Sequence, residues 1–221
     1  MKKIDSNEAH FSKVSLVTAV LGILGISLHH FAYYRKESKK IIAMSIETAP
    51  YTVSKAWTQE KVELREYNSL RWVCAMSHES SMDKASKECF WKLFRYIGGK
   101  NAQKVKVPMT APVTIESKPD NQSVMKRCFT MGFYIPEAFQ SNPPAPTEDG
   151  VFIETRPAMK VYCWTYSGFS NNDKALNNAR KLGESLDQLG LKYIPDPFYF
   201  AGYDSPFKLI NRRNEIWFKA Q

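Results

Sequence analysis

The most pointed chemistry in this sequence lies between Lys87 and Arg95. Met82, Ala85, Cys89, Leu93, Tyr96 and Ile97 recur at helical spacing and suffice to bury one helix face. Phe90, Trp91 and Phe94 carry the apolar arc well round the cylinder. Lys87 falls among these aromatics in angle, and Arg95 lies beyond Trp91. A wide aromatic face edged by cations suits a flat apolar ligand bearing carboxylates. A porphyrin, with its macrocycle and two propionates, has that shape. On pattern alone, filling a wide core or packing against the tail loop is the simpler account of the same aromatics.

Other candidate groups are sparser. His10, His29 and His30 belong to the N-terminal stretch, which leaves His78, between a strand and the first helix, as a weak candidate metal ligand. Cys74, Cys89, Cys128 and Cys163 form no CxxC pair and have no histidine at metal-ligand spacing, so buried free thiols are expected. No Ser-His-Asp order, paired acids on one face or phosphate-cradling glycine loop occurs, and a non-catalytic protein is expected. The net charge is +9. Seven lysines and arginines stand against three acids in the first 40 residues, and the remainder is mildly basic with scattered charge. That balance argues against a nucleic-acid partner and suits an acidic small molecule or an anionic membrane surface.

Two segments position these groups, and they are related. Val62 to Cys74 and Val151 to Cys163 match at Val62/Val151, Leu64/Ile153, Leu70/Met159 and Cys74/Cys163. Each alternates apolar and polar residues around a break, Asn68-Ser69 or Pro157-Ala158, and reads as a two-stranded hairpin. A helix follows each, one beginning Asp83-Lys84-Ala85 and ending before Gly98-Gly99, the other beginning Asp173-Lys174-Ala175 and ending at Gly190. The second helix carries a narrow stripe of Leu176, Ala179, Leu182, Leu186 and Leu189 among charged residues. A Pro-bearing extended stretch and a strand complete each half, and Gln140 to Gly150 reads as a crossing loop. The expectation is an α+β domain over residues 41–221, with two helices on a curved antiparallel sheet or half-open barrel and pseudo-twofold internal duplication. Its concave face is a natural ligand cleft.

Residues 1–40 form a separate segment. Its uncharged stretch, 14–34, approaches the length of a bilayer span and is followed by the basic cluster 35–40. A membrane anchor with a cytosolic domain is the first reading. A cleaved secretory signal or an organelle-targeting segment are the alternatives, giving a secreted, cytoplasmic or mitochondrial protein. In a lumenal domain Asn121-Gln122-Ser123 would accept a glycan.

Several stretches resemble the SOUL heme-binding family: Lys106 to Val113 (KVPMTAPV), Phe133 to Pro136 (FYIP), Pro143 to Pro146 (PPAP), Ala201 to Pro206 (AGYDSP) and Asn211 to Trp217 (NRRNEIW). The resemblance runs from Tyr51 to Ala220 with the motifs in family order, nearer to the heme-binding protein 2 branch. It implies a distorted antiparallel β-barrel with two helices and an internal repeat. It also implies heme or another tetrapyrrole bound in a hydrophobic cleft beside the first helix. Carried over by position, Phe90, Trp91 and Phe94 would line the cleft, while Lys87, Arg95 and Lys208 would pair with propionates. A histidine proposed as axial ligand in some members is Glu66 here, so the expected binding is of the porphyrin without strong axial ligation. The same branch is associated with mitochondrial permeability and cell death. That association, with the anchor-like segment, gives the alternative of a membrane-associated interaction protein.

Overall fold

The computed structural model of the protein describes residues 46–120, 123–205 and 207–221, with backbone alone at 119, 120 and 123–127. The anchor-like stretch 14–34, the basic cluster 35–40 and Asn121 lie outside the described residues. Among the described residues no helix is long and apolar enough to cross a membrane.

The elements run β1 (Glu47–Thr48), β2 (Thr52–Trp57), β3 (Val62–Tyr67), β4 (Leu70–Ser77), α1 (Met82–Ile97), β5 (Thr110–Ala111), β6 (Val113–Asp120) and β7 (Ser123–Tyr134), followed by α2 (Glu137–Gln140), β8 (Val151–Arg156), β9 (Met159–Tyr166), α3 (Asn172–Gln188), β10 (Tyr193–Gly202) and β11 (Asn214–Ala220). α1 begins where the Ser81 hydroxyl accepts from the Lys84 N–H, and α3 where the Asn171 side-chain amide oxygen accepts from the Lys174 N–H at 2.9 Å. Both helices therefore start one residue before the aspartates that marked them, because those aspartates occupy the first turn and not the cap. α1 stops at Gly98-Gly99, where Gly99 takes φ +110°, a conformation that favours glycine. The one-turn α2, in the Ile135–Gln140 region, is a third helix beyond the two expected.

The paired segments do not form hairpins. β3 pairs with β2 and β9, while β4 pairs with β7 and β8. Tyr67 faces Met159 and Leu70 faces Arg156, so 62–77 and 151–166 run as one long antiparallel ribbon. The ribbon bends where Asn68-Ser69 lies opposite Pro157-Ala158. A proline there has no N–H to give the ladder, so a break that resembles a turn is a kink in a continuous pair. The order is β2-β3-β9-β11-β10-β6-β7-β4-β8, with β2 and β8 as free edges. The sheet is thus not closed into the barrel that was expected: β2 and β8 do not pair, although the kinked ribbon carries the chain between the two ends.

The duplication is visible in the registers. Ile115 faces Phe200 at the centre, flanked by Thr114–Ala201 and Glu116–Tyr199. Cys74 pairs with Gly132, and its repeat counterpart Cys163 pairs with Trp217. Ile115 pairs with Met131 as Phe200 pairs with Ile216.

Strand alternation gives the sheet two apolar faces. Val73, Ala75, Met131, Phe133, Tyr162, Ile216 and Phe218 point to the helices and form one core with Leu93, Leu182 and Leu186. Trp72, Cys74, Val161, Cys163, Tyr199 and Trp217 form a second core on the opposite face. That second face also holds charge. Arg65 donates to Glu215 at 2.9 Å, and Tyr203 and Trp217 donate to the same carboxylate at 2.8 Å. Burial alone would raise the Glu215 carboxyl, but Arg65 and Arg213 outweigh it and hold the pKa below its ordinary value. All four cysteines are buried free thiols, as expected.

Candidate functional site

α1 lies across β4, β7 and β6. Met82, Ala85, Cys89, Leu93, Tyr96 and Ile97 are its buried residues, the same six that the spacing selected. The aromatic extension is half-buried. Phe90 and Phe94 stack with centroids 5.7 Å apart, and Phe90 meets Phe133 of β7 edge-on at 5.7 Å. Trp91 stands edge-on to both, at 5.7 Å from Phe90 and 5.8 Å from Phe94. The three rings make one aromatic surface whose inner side is held by the core and whose outer side meets solvent.

The cations stand differently. Lys87 is exposed one turn before Phe90 and Phe94, on their side of the helix, and forms no ion pair among the described residues. Arg95 is exposed but engaged: its Nε donates to Glu148 Oε2 at 3.0 Å, and its Nη2 makes a second bond to Oε1. Lys100 adds a contact to the same carboxylate at 3.1 Å. These hydrogen bonds pull the Glu148 carboxyl down to about 2, Arg95 contributing most. Lys208 lies on the loop between β10 and β11 and pairs with Asp204 at 2.6 Å. No hydrogen bond or ion pair joins it to α1 among the described residues.

The candidate iron-ligand positions lie outside α1, Glu66 on β3 and His78 in the connector after β4. His78 is exposed, and the nearby part of α1 carries Glu88, whose carboxyl is held low first by Ser77 and Lys92 and least by the histidine. Glu88 and Phe90 are separated by roughly 200° around the helix at about 100° per residue. Glu66 is half out in solvent and is lowered by its hydrogen bond to Lys160, at 2.9 Å. Among the described residues no group of three His, Cys, Asp or Glu side chains could hold a metal ion.

Two features escaped sequence reasoning. Glu148 competes for Arg95 from the crossing loop, a contact no local spacing reveals. A cavity of about 140 Å³ also lies between the starts of α1 and α3, lined by Met82, Phe129, Ala175 and Phe198 among others. Asp83 accepts there from the Asn172 N–H at 3.1 Å. A larger groove of about 330 Å³ runs along α3 beside Tyr193 and Phe218. Neither includes Phe90, Trp91 or Phe94.

Comparison with known proteins bears on this arrangement. Residues 46–219 match the family model described as SOUL heme-binding protein. Human heme-binding protein 2 is 38% identical over 155 residues, covering 70% of this chain and 76% of that protein. Mouse heme-binding protein 1 is 32% identical over 175 residues, covering 78% and 92%. Among solved structures, the EcmrR C-terminal domain superposes with a TM-score of 0.52 at 15% identity, covering 72% of this chain and 96% of that one. At that identity the likeness is one of fold alone.

Proposed function

The chain belongs to the SOUL heme-binding protein family, and on that premise we propose that it binds heme or a related tetrapyrrole against α1 as a non-catalytic carrier or buffer. One observation carries the reading: stacked Phe90 and Phe94, with Trp91 edge-on to both, form an aromatic surface that the fold leaves half-open beside Lys87, a cation with no ion pair among the described residues. The macrocycle lies on these rings. Lys87 takes one propionate, and Arg95 and Lys208 are further partners, each of which must first release a carboxylate of this chain.

The residues fit the porphyrin better than the iron. The family's proposed histidine position holds Glu66, bonded to Lys160, and His78 lies in the connector between β4 and α1. Bound heme would bring a redox-capable iron; this chain's own residues hold the ring and its carboxylates. Affinity should therefore be similar for hemin and for iron-free protoporphyrin. Titration of both, followed by absorbance and by tryptophan quenching, tests this. Matched dissociation constants in the micromolar range or below support the reading. Binding of neither ligand at micromolar concentration, or of hemin alone, overturns it.

A further inference from the structure

The most exposed large apolar side chains among the described residues lie in two loops far from each other in sequence. They are Ile210 at 75%, Leu209 at 59% and Phe169 at 56%; Phe207, at 44%, stands in the same loop as the first two. Arg212 joins the loops, its guanidinium 4.7 Å from the Phe169 ring centre. The tetrapyrrole reading does not use these apolar groups, and such a concentration marks an interaction surface.

Six carbonyls at the base of the apolar tips already have side-chain donors of this chain. Arg212 Nη1 donates to the carbonyls of Ser205 and Lys208, both at 2.7 Å, and its Nη2 reaches the Asp204 carbonyl. In the other loop Lys174 donates to the carbonyls of Ser167 and Phe169, at 3.0 and 2.8 Å, and Asn214 to that of Gly168 at 2.8 Å. Carbonyls that already have donors lose little on leaving water, which is the condition for entering a lipid layer. Two of the three donors, Arg212 and Lys174, are cations set at the base of the tips. The loop acid, Asp204, is neutralised by Lys208 and accepts from the Arg213 N–H. Aliphatic tips over a basic collar complement an anionic bilayer, whereas protein interface hot spots favour Trp, Tyr and Arg over Leu.

We propose that Phe169 and Phe207–Ile210 form a face that docks on anionic phospholipid, with Leu209 and Ile210 entering the boundary between headgroups and acyl chains. This is a contact of the folded domain, separate from any role of residues 14–34. The test uses the full chain carrying a single exposed cysteine, Ile210→Cys or, as control, Gln59→Cys. Each is labelled with an environment-sensitive fluorophore; the four native thiols are buried. Vesicles of phosphatidylcholine alone and with phosphatidylserine are added. The expected result is a blue shift at 210, none at 59, and little at either site without phosphatidylserine. Phe169→Asp with Leu209→Asp should raise the lipid needed for half the shift at least about tenfold. A label at 210 that stays aqueous while the protein sediments with vesicles would overturn the proposal. So would an equal shift on phosphatidylcholine alone, or a shift that grows with protein concentration in the absence of lipid. Phe169→Asp alone leaves the α1 surface and the Lys208 loop unsubstituted, so porphyrin binding by that variant reports on the tetrapyrrole site separately.

Discussion

α1 and α3 occupy equivalent places in the two halves, and their caps align them. Ser81 and Asn171 cap, and Asp-Lys-Ala follows two residues later in each. In this alignment Ala85, Cys89, Leu93 and Tyr96 correspond to Ala175, Ala179, Gly183 and Leu186, and all eight are buried. Phe90, Trp91 and Phe94 correspond to Arg180, Lys181 and Glu184, which are exposed. One repeat thus shows what the scaffold requires of this helix, and the other shows what has been added. α3 is held on the sheet without an aromatic surface at these positions. The inner side of the rings packs on the core and on Phe133; their solvent side has no counterpart in α3 and is the part the proposed tetrapyrrole would cover.

The comparison can be broken first in the shared core. Leu93→Ala and Leu186→Ala each remove a fully buried side chain, and each should cost about 3 kcal/mol of stability. Denaturant unfolding checks this; a loss at one helix alone would mean that the two are not equivalent supports. Next come the caps. Ser81→Ala and Asn171→Ala should each cost about 1 kcal/mol, read as a similar fall in thermal midpoint, with porphyrin binding retained.

Much of this contrast was legible in the sequence, because helical periodicity is local. The six buried positions of α1, the stop at Gly98-Gly99 and the match of Val62–Cys74 to Val151–Cys163 all follow from spacing within one segment. Strand partnership is not local. Asn68-Ser69 and Pro157-Ala158 break the alternation as turns do, and only long-range pairing shows that they face each other across a bent ribbon. The open sheet edge follows from that pairing and was hidden for the same reason. At the candidate site the rings were legible, but the state of the cations was not. Arg95 meets Glu148 across 53 residues of chain, and no helix pattern announces a partner in a loop.

That partner gives smaller tests. Glu148→Gln should free Arg95 and tighten porphyrin binding about threefold, roughly 0.6 kcal/mol, with no gain for a porphyrin whose propionates are esterified. An equal gain for the ester would show that Arg95 does not meet the propionates. Because the folded Glu148 carboxyl is pulled down to about 2, its contribution to stability is complete above the ordinary carboxylate range. It declines as pH falls from that range toward about 2. Acid titration of thermal stability should show Glu148→Gln lacking that part of the decline.

The central claim is that the solvent side of the α1 aromatic face serves a ligand. It is met most directly by giving α1 the residues of its counterpart, Phe90→Arg with Trp91→Lys and Phe94→Glu, and measuring protoporphyrin affinity beside unfolding of the same sample. The account predicts a cooperatively folded protein whose affinity has fallen about a hundredfold, roughly 2.7 kcal/mol. A folded variant that binds protoporphyrin as tightly as the natural chain would contradict it.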